Sequence, residues 1–275
     1  MFDGGIDVEE QALAGINSVL LLGCGKMGSA LLQGWLSAGL KAGSVTVLDP
    51  VPRPWLAEAG VVVNPPLPKA ADVVIIAVKP QMIAETVPSL AAMGGGETLV
   101  LSIAAGTPLT AFEEIFGPNT PIVRAMPNTP AAVGQGISAL IGNNAAGEQD
   151  LARAEALMAS VGQTVRLEDE SQMDAVTGLS GSGPAYVFHL IEAMAAAGEA
   201  EGLPRDLAMQ LARATVSGAG ALAAQAEESA ADLRVNVTSP GGTTAAGLEI
   251  LMAELPDLAR RTVAAAAARS RALRG

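Results

Sequence analysis

The sequence predicts an α/β fold in which a doubly wound, mostly parallel sheet is followed by an all-helical C-terminal domain. Short β-branched runs alternate with helix-patterned stretches as far as about Arg166, and this alternation builds a parallel sheet covered by helices on both faces. After Glu168 the strand-like runs disappear, and stretches rich in Ala, Met and Leu continue to the end of the chain. We therefore expect two domains of different architecture.

Seven runs are predicted as strands because they are apolar, rich in β-branched residues and too short for buried helices. They are residues 19–22, 45–48, 61–63, 73–78, 98–103, 122–125 and 137–141. The later helical region is interrupted by Gly, Pro and Ser at residues 181–184, 202–204 and 239–242, so it divides into several helices.

A glycine motif, Gly23-Cys-Gly-Lys-Met-Gly28, links the first predicted strand to a helix-patterned stretch over residues 26–38. A strand, a glycine turn and a helix in this order cradle a pyrophosphate at the helix N-terminus. Met27 follows Lys26 where a phosphate-binding loop of an NTPase would carry Ser or Thr. Residues 16–166 are therefore predicted to form a Rossmann-type dinucleotide-binding domain, preceded by a poorly ordered tail over residues 1–15 and followed by a helical domain over residues 167–275.

Cofactor choice depends on two residues that follow the second predicted strand. Asp49 stands where an acid can accept a hydrogen bond from a ribose 2′-hydroxyl, and its charge repels a 2′-phosphate. Arg53 attracts a 2′-phosphate. Because the two residues act in opposite directions, we predict that both NADPH and NADH serve, within about tenfold of each other.

A second motif, Ser239-Pro-Gly-Gly-Thr-Thr244, runs into an apolar-periodic stretch over residues 245–255. Glycines admit a ligand close to the backbone, Ser239, Thr243 and Thr244 offer hydroxyl groups, and a helix N-terminus offers unpaired N–H groups. A small carboxylate would fit such an anion clamp, and an ordinary capped helix start is the alternative.

Composition excludes several classes of protein. The 275 residues carry a formal net charge of −12, which argues against a nucleic-acid partner. The single cysteine, Cys24, excludes an internal disulfide, no Cys/His cluster exists for a metal site, and we favour simple packing over a reactive thiol. Uncharged stretches are broken by Gly, Pro, Ser or Asn, and the acidic N-terminus is no signal peptide, so neither a membrane span nor export is expected. The predicted location is cytoplasmic.

Motifs along nearly the whole chain resemble the Δ1-pyrroline-5-carboxylate reductase family, which makes L-proline by reducing a cyclic imine. Besides the two motifs above, the resemblance is carried by residues 77–80, 102–106, 123–130, 178–186, 202–205 and 237–244. It implies an oxidoreductase that uses NADPH or NADH in the last step of proline biosynthesis and takes a small-molecule substrate. It also implies a homodimer formed by the helical domain, with a ring of dimers in some members, whereas a compact monomer is the alternative.

The resemblance implies roles for individual residues. The cofactor contacts it implies, together with Asp49 and Arg53, are Leu22, Gly23, Cys24, Gly25, Lys26, Met27, Gly28, Asn64, Ala77, Val78, Lys79, Pro80, Ile103, Ala104, Ala105, Met126, Pro127 and Asn236. The substrate contacts it implies are Asn128, Ser239, Gly241, Gly242, Thr243 and Thr244. Thr244 is the expected catalytic residue, with its hydroxyl near the ring nitrogen, and either Glu227 or Glu228 approaches the ring. For Lys79 a solvated residue after the strand is the alternative, and His189 is expected to pack or to contact the dimer partner rather than to act as a catalyst.

Two other classes of protein share these features. A hydroxyacid dehydrogenase of the 3-hydroxyisobutyrate type has the glycine turn and a helical second domain, but it is expected to carry a catalytic lysine in that domain. No lysine stands between Glu168 and Gly275. A nucleotide-sensing regulator on the same fold is the non-enzymatic alternative, since fold does not determine function, but it leaves the anion clamp unexplained.

Overall fold

The computed structural model describes residue 13 and residues 15–273 of the protein. An eight-stranded sheet occupies the first part of the chain, with spatial order β3-β2-β1-β4-β5-β6-β7-β8. The strands are β1 (Val19–Leu22), β2 (Val45–Leu48), β3 (Val62–Val63), β4 (Val73–Ile76), β5 (Leu99–Ser102), β6 (Ile122–Met126), β7 (Gly136–Gly142) and β8 (Gly162–Arg166). The predicted fold class is confirmed.

Strands β1 to β6 are parallel, β7 pairs antiparallel with β6, and β8 pairs parallel with β7. All seven predicted strands are present; the bounds of β1 and β2 match, and the ends of the other five differ by at most two residues. The strand predictions omit β8, whose sequence GQTVR is largely polar and lies at the edge of the sheet. An edge strand needs little apolar surface, so periodicity gives it a weak signal.

Both faces of the sheet are buried, as expected for parallel strands. Val19 and Leu21 of β1 belong to one apolar cluster, while Leu20 and Leu22 belong to the other. Within the described residues six α-helices accompany the sheet: α1 (Lys26–Ser37), α2 (Trp55–Glu58), α3 (Ile83–Thr86), α4 (Leu109–Phe116), α5 (Glu148–Ala159) and α6 (Met173–Val176). The fully buried Trp35 of α1 donates its indole N–H to the Leu157 carbonyl of α5 at 2.8 Å, which satisfies its polar atom within the core.

Among the described residues four more α-helices follow: α7 (Gly183–Ala200), α8 (Arg205–Gln225), the short α9 (Ala230–Asn236) and α10 (Thr243–Ala272). Helices α7 and α8 form a hairpin, in which the Leu203 N–H donates to the Gly198 carbonyl at 3.0 Å. A Cβ at Gly198 would lie 3.3 Å from Ala208 Cβ, so the small residues of this hairpin allow its helices to pack closely. Among the described residues no helix is long and apolar enough to cross a membrane.

The chain divides into two compact units at Gly181, rather than at the predicted residue 166, and residues from Ala266 onward group with the first unit. The Ser270 hydroxyl donates to the buried Asp174 carboxylate at 2.8 Å, which joins the end of α10 to the segment after β8. A helical pattern does not reveal which domain a helix packs on, which accounts for the difference. Residues 1–12 and 14 of the predicted tail lie outside the described residues, whereas Leu13 is buried in the core, contrary to its assignment to a poorly ordered tail.

Candidate active site

The predicted cofactor residues of the first unit follow the carboxyl ends of parallel strands, so they share one edge of the sheet. The Ala77 N–H donates to the Leu22 carbonyl at 2.8 Å, and the Ile103 N–H donates to the Ile76 carbonyl at 3.0 Å. The strand order reverses between β1 and β4, and ligands of open α/β sheets bind in the crevice at such a reversal. The residues at this edge are Gly23 after β1, Asp49 after β2, Asn64 after β3, 77–80 after β4, 103–105 after β5 and Met126 to Asn128 at the end of β6.

The three glycines of the first motif differ in what the structure requires at their positions. Gly23 has a φ of +88°, and a Cβ there would lie 3.0 Å from the Ala77 carbonyl oxygen. A Cβ at Gly28 would lie 2.6 Å from the Gly23 carbonyl oxygen, so α1 can approach the turn only without a side chain. No described atom lies within 4 Å of a Cβ built at Gly25. The first and third glycines are therefore required by the fold, while the second leaves open space for a ligand.

The N-terminus of α1 suits an anion. Gly25 occupies the cap position without a side-chain cap, and the first turn contains no acidic residue. The unpaired N–H groups and the positive end of the helix dipole therefore stay available to a phosphate. Lys26, the first residue of α1, is exposed and adds a positive charge at the same end. This turn has the shape and charge to hold the pyrophosphate of a dinucleotide.

The Cys24 side chain points into the protein beneath the glycine turn. It is buried, its thiol lies 3.5 Å from the Ser29 hydroxyl, and that hydroxyl donates to the Cys24 carbonyl at 3.0 Å. Burial raises the pKa of the Cys24 thiol, which favours the protonated, unreactive form. These contacts support the packing interpretation of Cys24.

Asp49 is tied to the glycine turn as well as to its own loop. Its carboxylate accepts the Cys24 N–H at 2.6 Å and the Val51 N–H at 2.8 Å. The Asn64 amide accepts the Asp49 N–H at 3.0 Å and donates to the Asp49 carbonyl at 2.9 Å, which pins the ends of β2 and β3 together. Asn64 itself has a φ of +48°, a left-handed conformation that Asn tolerates better than most residues. Arg53 is exposed in the loop beyond.

The end of β6 contacts the segment that follows β8. Asn128 is buried, its amide oxygen accepts the Ile137 N–H at 3.0 Å, and its amide nitrogen donates to the Ser180 carbonyl at 3.2 Å. A Cβ at Gly181 would lie 2.6 Å from Met126 Cε, so Gly181 lets the turn sit directly on Met126. The structure thus uses both polar ends of the Asn128 amide to fix this part of the site, and contact between Asn128 and substrate stays a prediction.

Sequence reasoning missed a buried ion pair behind this site. The Arg124 side chain of β6 is 5% exposed and pairs with the Glu170 carboxylate. The same oxygen of Glu170 accepts the Leu109 N–H at the start of α4 at 2.9 Å. The available signal was a charged residue inside an otherwise apolar strand, because a buried charge requires a partner.

The second motif lies in the unit of residues 182–265. Gly241 has a φ of +69°, the Gly242 N–H donates to the Ser239 carbonyl at 3.0 Å, and α10 begins at Thr243 without an acidic residue in its first turn. The exposed hydroxyls of Ser239, Thr243 and Thr244 make no hydrogen bond to another described residue. A helix start with free N–H groups and free hydroxyls is the arrangement that an anion clamp needs.

The remaining predicted residues of this unit are exposed. Asn236 is the last residue of α9, and Glu227 and Glu228 lie in the connection between α8 and α9. Gly241 and Gly242 line a surface groove together with Arg234 and Thr238. Arg234 and Glu249 both line this groove, so it carries one charge of each sign. The specific roles of Asn236 and the two acids stay predictions.

Comparison with known proteins agrees with both halves of the chain. Residues 170–273 match the family model for pyrroline-5-carboxylate reductase dimerisation, and residues 18–106 match the one described as NADP oxidoreductase, coenzyme F420-dependent. The pyrroline-5-carboxylate reductase of Methanosarcina acetivorans is 40% identical over 237 residues, 84% of this chain and 87% of its own. That of Pseudomonas aeruginosa is 39% identical over 241 residues, 86% of this chain and 88% of its own.

Solved structures give the same result. A pyrroline-5-carboxylate reductase from Coxiella burnetii superposes with a TM-score of 0.88 at 32% identity, covering 95% of this chain and 100% of that one. The Plasmodium falciparum pyrroline carboxylate reductase with NADP bound has a TM-score of 0.82 at 29% identity, covering 95% and 99%.

Fold and site together define a Rossmann-type dinucleotide-binding oxidoreductase with a helical second unit. The chain belongs to the pyrroline-5-carboxylate reductase family, and the predicted resemblance is confirmed.

Proposed function

We propose that the protein reduces Δ1-pyrroline-5-carboxylate to L-proline by hydride transfer from NADPH or NADH, as the last step of proline biosynthesis. The observation that carries this proposal is the identity of about 40% to reductases of that name across more than four fifths of the chain. The sheet edge described above supplies a matching dinucleotide site, and the exposed clamp at the start of α10 supplies a place for a carboxylate.

Different residues of the site bind different parts of the cofactor. The turn from Gly23 to Gly28 and the N-terminus of α1 hold the pyrophosphate, and Asp49 and Arg53 hold the adenosine ribose. Asn64 and Lys79 with its neighbours complete the cofactor site, and Asn236 reaches it from the helical unit. A bound NADPH or NADH supplies the hydride.

The substrate is held through its carboxylate and its ring nitrogen. The expected clamp spans Gly242 to Thr244, but the Gly242 N–H already donates to the Ser239 carbonyl, so the N–H groups of Thr243 and Thr244 bind the carboxylate at the start of α10. The cyclic imine is basic enough to carry its own proton, so no strong protein acid is required. The imine carbon accepts the hydride while the nitrogen keeps its proton, and the Thr244 hydroxyl stays hydrogen-bonded near that nitrogen as it becomes the amine of proline.

The homodimer forms through the region that matches the dimerisation model. Assembly of dimers into a ring, and a cytoplasmic location, are the further parts of this proposal. Cross-linking followed by mass measurement distinguishes a dimer from a larger ring.

The test is turnover of pyrroline-5-carboxylate with NADPH and, separately, with NADH, followed at the nicotinamide absorbance band and confirmed by detection of proline. We expect both cofactors to be oxidised only when the imine is present. Oxidation of 3-hydroxyisobutyrate with NAD⁺ or NADP⁺ would instead favour the hydroxyacid dehydrogenase. Cofactor binding without turnover of either substrate would favour the nucleotide-sensing regulator.

A further inference from the structure

A buried ion pair fixes the segment before α6 to two other parts of the first unit. The Arg124 guanidinium of β6 pairs with Glu170, and the same carboxylate oxygen accepts the Leu109 N–H of α4 at 2.9 Å. A guanidinium taken out of water is costly unless a partner and hydrogen bonds compensate for the lost hydration. The pair is therefore maintained only while β6, α4 and the segment before α6 keep their relative positions.

Arg124 and Met126 of β6 and Asn128, two residues beyond the strand, make three separate contacts with residues 170–181. Residues two apart in extended backbone point to the same side, and Asn128 keeps an extended conformation, with φ −129° and ψ 166°. We call the three contacts the β6 clasp. It consists of the Arg124 ion pair with Glu170, the packing of Met126 Cε against Gly181, and the hydrogen bond from the Asn128 amide to the Ser180 carbonyl at 3.2 Å.

The far end of the clasp contains an unusual turn. Residues Thr177–Gly181 form a π-helical turn, a rare conformation that is frequent at functional sites. A Cβ at Gly181 would lie only 2.6 Å from Met126 Cε, so the turn and Met126 are in close contact. A small displacement of residues 170–181 would therefore be transmitted directly to Met126 and, through Ser180, to Asn128.

We infer that Arg124 is a positioning residue for hydride transfer, acting through Glu170 and the β6 clasp on Met126 and Asn128. This inference rests on the proposed function, in which the end of β6 borders the nicotinamide and the substrate. The Arg124 side chain is itself buried within the protein, so it acts on the reaction only through its neighbours. This positioning role is additional to the binding roles assigned above, because Arg124 holds the end of β6 in place without binding cofactor or substrate.

The test compares Arg124→Met with the parent enzyme and with Arg166→Met. Arg166 belongs to the same unit and pairs with Glu148 and Glu155 at the surface, so its replacement removes an ion pair of the exposed kind. Three quantities are measured for each protein. They are the primary kinetic isotope effect on kcat with cofactor deuterated at the transferred hydrogen, the affinity for the cofactor, and amide hydrogen exchange of residues 177–181 without cofactor.

For Arg124→Met we expect kcat to fall by about 10- to 100-fold, with a larger isotope effect because hydride transfer becomes rate-limiting. Cofactor affinity, measured by nicotinamide fluorescence, should change by less than about threefold, since the pyrophosphate turn is untouched. Exchange at residues 177–181 should accelerate roughly tenfold because the local turn opens more easily. Arg166→Met should match the parent enzyme in all three measurements.

The inference would be overturned if the Arg124→Met protein had the isotope effect and exchange rates of the parent and differed only in a lower Tm. If Arg124→Met does not fold, Glu170→Gln is read by the same criteria, because its amide oxygen still accepts the Leu109 N–H. A parent enzyme that fails to reduce pyrroline-5-carboxylate would overturn the proposed function and the catalytic part of this inference. The exchange rates would still decide whether Arg124 holds the clasp.

Discussion

The two compact units differ in what they bury. In the first unit the sheet and the helices that cover it carry large side chains that are fully buried, among them Trp35 of α1, Phe112 of α4 and Ile75 of β4. Within residues 182–265, all of which the structure describes, the buried apolar side chains are Ala195, Ala208 and Ala212. An alanine removes little apolar surface from water, and hydrophobic stabilisation scales with that surface. The first unit thus has a core of its own, and the second does not.

The large apolar side chains of the second unit lie on its surface. They include Val187, Phe188, Leu190 and Met194 on α7, and Ile250, Leu251, Met252, Leu255 and Leu258 on α10. Apolar patches of this extent are uncommon on monomeric proteins and mark interaction surfaces. Residues 170–273, which include these helices, match the family model for pyrroline-5-carboxylate reductase dimerisation, so these exposed side chains are candidates for the dimer interface.

The largest effect on assembly and stability is expected when charged residues are placed on the apolar surface of the second unit. Phe188→Glu combined with Leu251→Glu should abolish the homodimer and the reductase activity. Each buried Phe or Leu contributes about 1.5–3 kcal/mol, so Tm should fall by roughly 10 °C or more. Light scattering and thermal unfolding check this expectation.

The matched control lies in the first unit. Leu67 is 44% exposed there, and Leu67→Glu should leave the oligomeric state and Tm within error of the parent enzyme. A double variant that remains dimeric would mean that the exposed residues of α7 and α10 are not the interface.

The anion clamp of the second unit gives the next largest effect. Thr244→Ala removes one hydrogen bond to a charged group, worth roughly 1.5–3 kcal/mol. We expect kcat/KM for pyrroline-5-carboxylate to fall by about ten- to a hundredfold, since each 1.36 kcal/mol corresponds to about tenfold in rate. Cofactor affinity should hardly change. Steady-state kinetics with each substrate varied in turn measure both quantities, and unaltered kcat/KM would place the substrate carboxylate elsewhere.

A smaller effect is expected at the adenosine end of the first unit. Because Asp49 and Arg53 act in opposite directions on a 2′-phosphate, the ratio of kcat/KM for NADPH and NADH should stay within about tenfold, or roughly 1.4 kcal/mol. Arg53→Ala should shift this ratio toward NADH by about fivefold, as expected for an exposed charge. A hundredfold preference of the parent enzyme for either cofactor would contradict this interpretation.

The smallest effect is expected at Cys24. Its buried side chain only packs beneath the glycine turn, so Cys24→Ala should leave turnover nearly intact. Because burial raises the pKa of the thiol, the protonated form persists at pH 8, and reaction of the folded parent with a thiol reagent should be much slower than after unfolding. An inactive Cys24→Ala enzyme beside a normal Thr244→Ala enzyme would reverse the roles assigned to the two motifs.

The strands and the glycine turn could be predicted because local chemistry specifies them. Apolar β-branched runs define β1, β4 and β5, and the conformation of Gly23 requires a glycine whatever the rest of the chain does. Strand β8 was not predicted because it is a polar edge strand. The antiparallel direction of β7 has no sequence signature, since its pairing depends on the loop that precedes it.

Contacts between distant segments could not be predicted in the same way. Arg124 and Glu170 lie 46 positions apart, and only the folded chain brings them together. The same holds for Asp174 and Ser270, which are 96 positions apart and place both the segment after β8 and the last turns of α10 in the first unit. Helical periodicity indicates that residues 173–181 form helix but not where that helix packs.

The return of the chain to its first unit has a consequence for synthesis. Ala267 and Ser270 are buried there, and Ser270 donates to Asp174, so that unit includes side chains from the last ten residues of the chain. Domains generally fold as units while the nascent chain emerges from the ribosome, N-terminal domain first. In this protein the first unit cannot complete its packing until Ala267 and Ser270 have been synthesised, after the helices of the second unit. A chain interrupted before Ala267 therefore leaves the packing of the first unit incomplete.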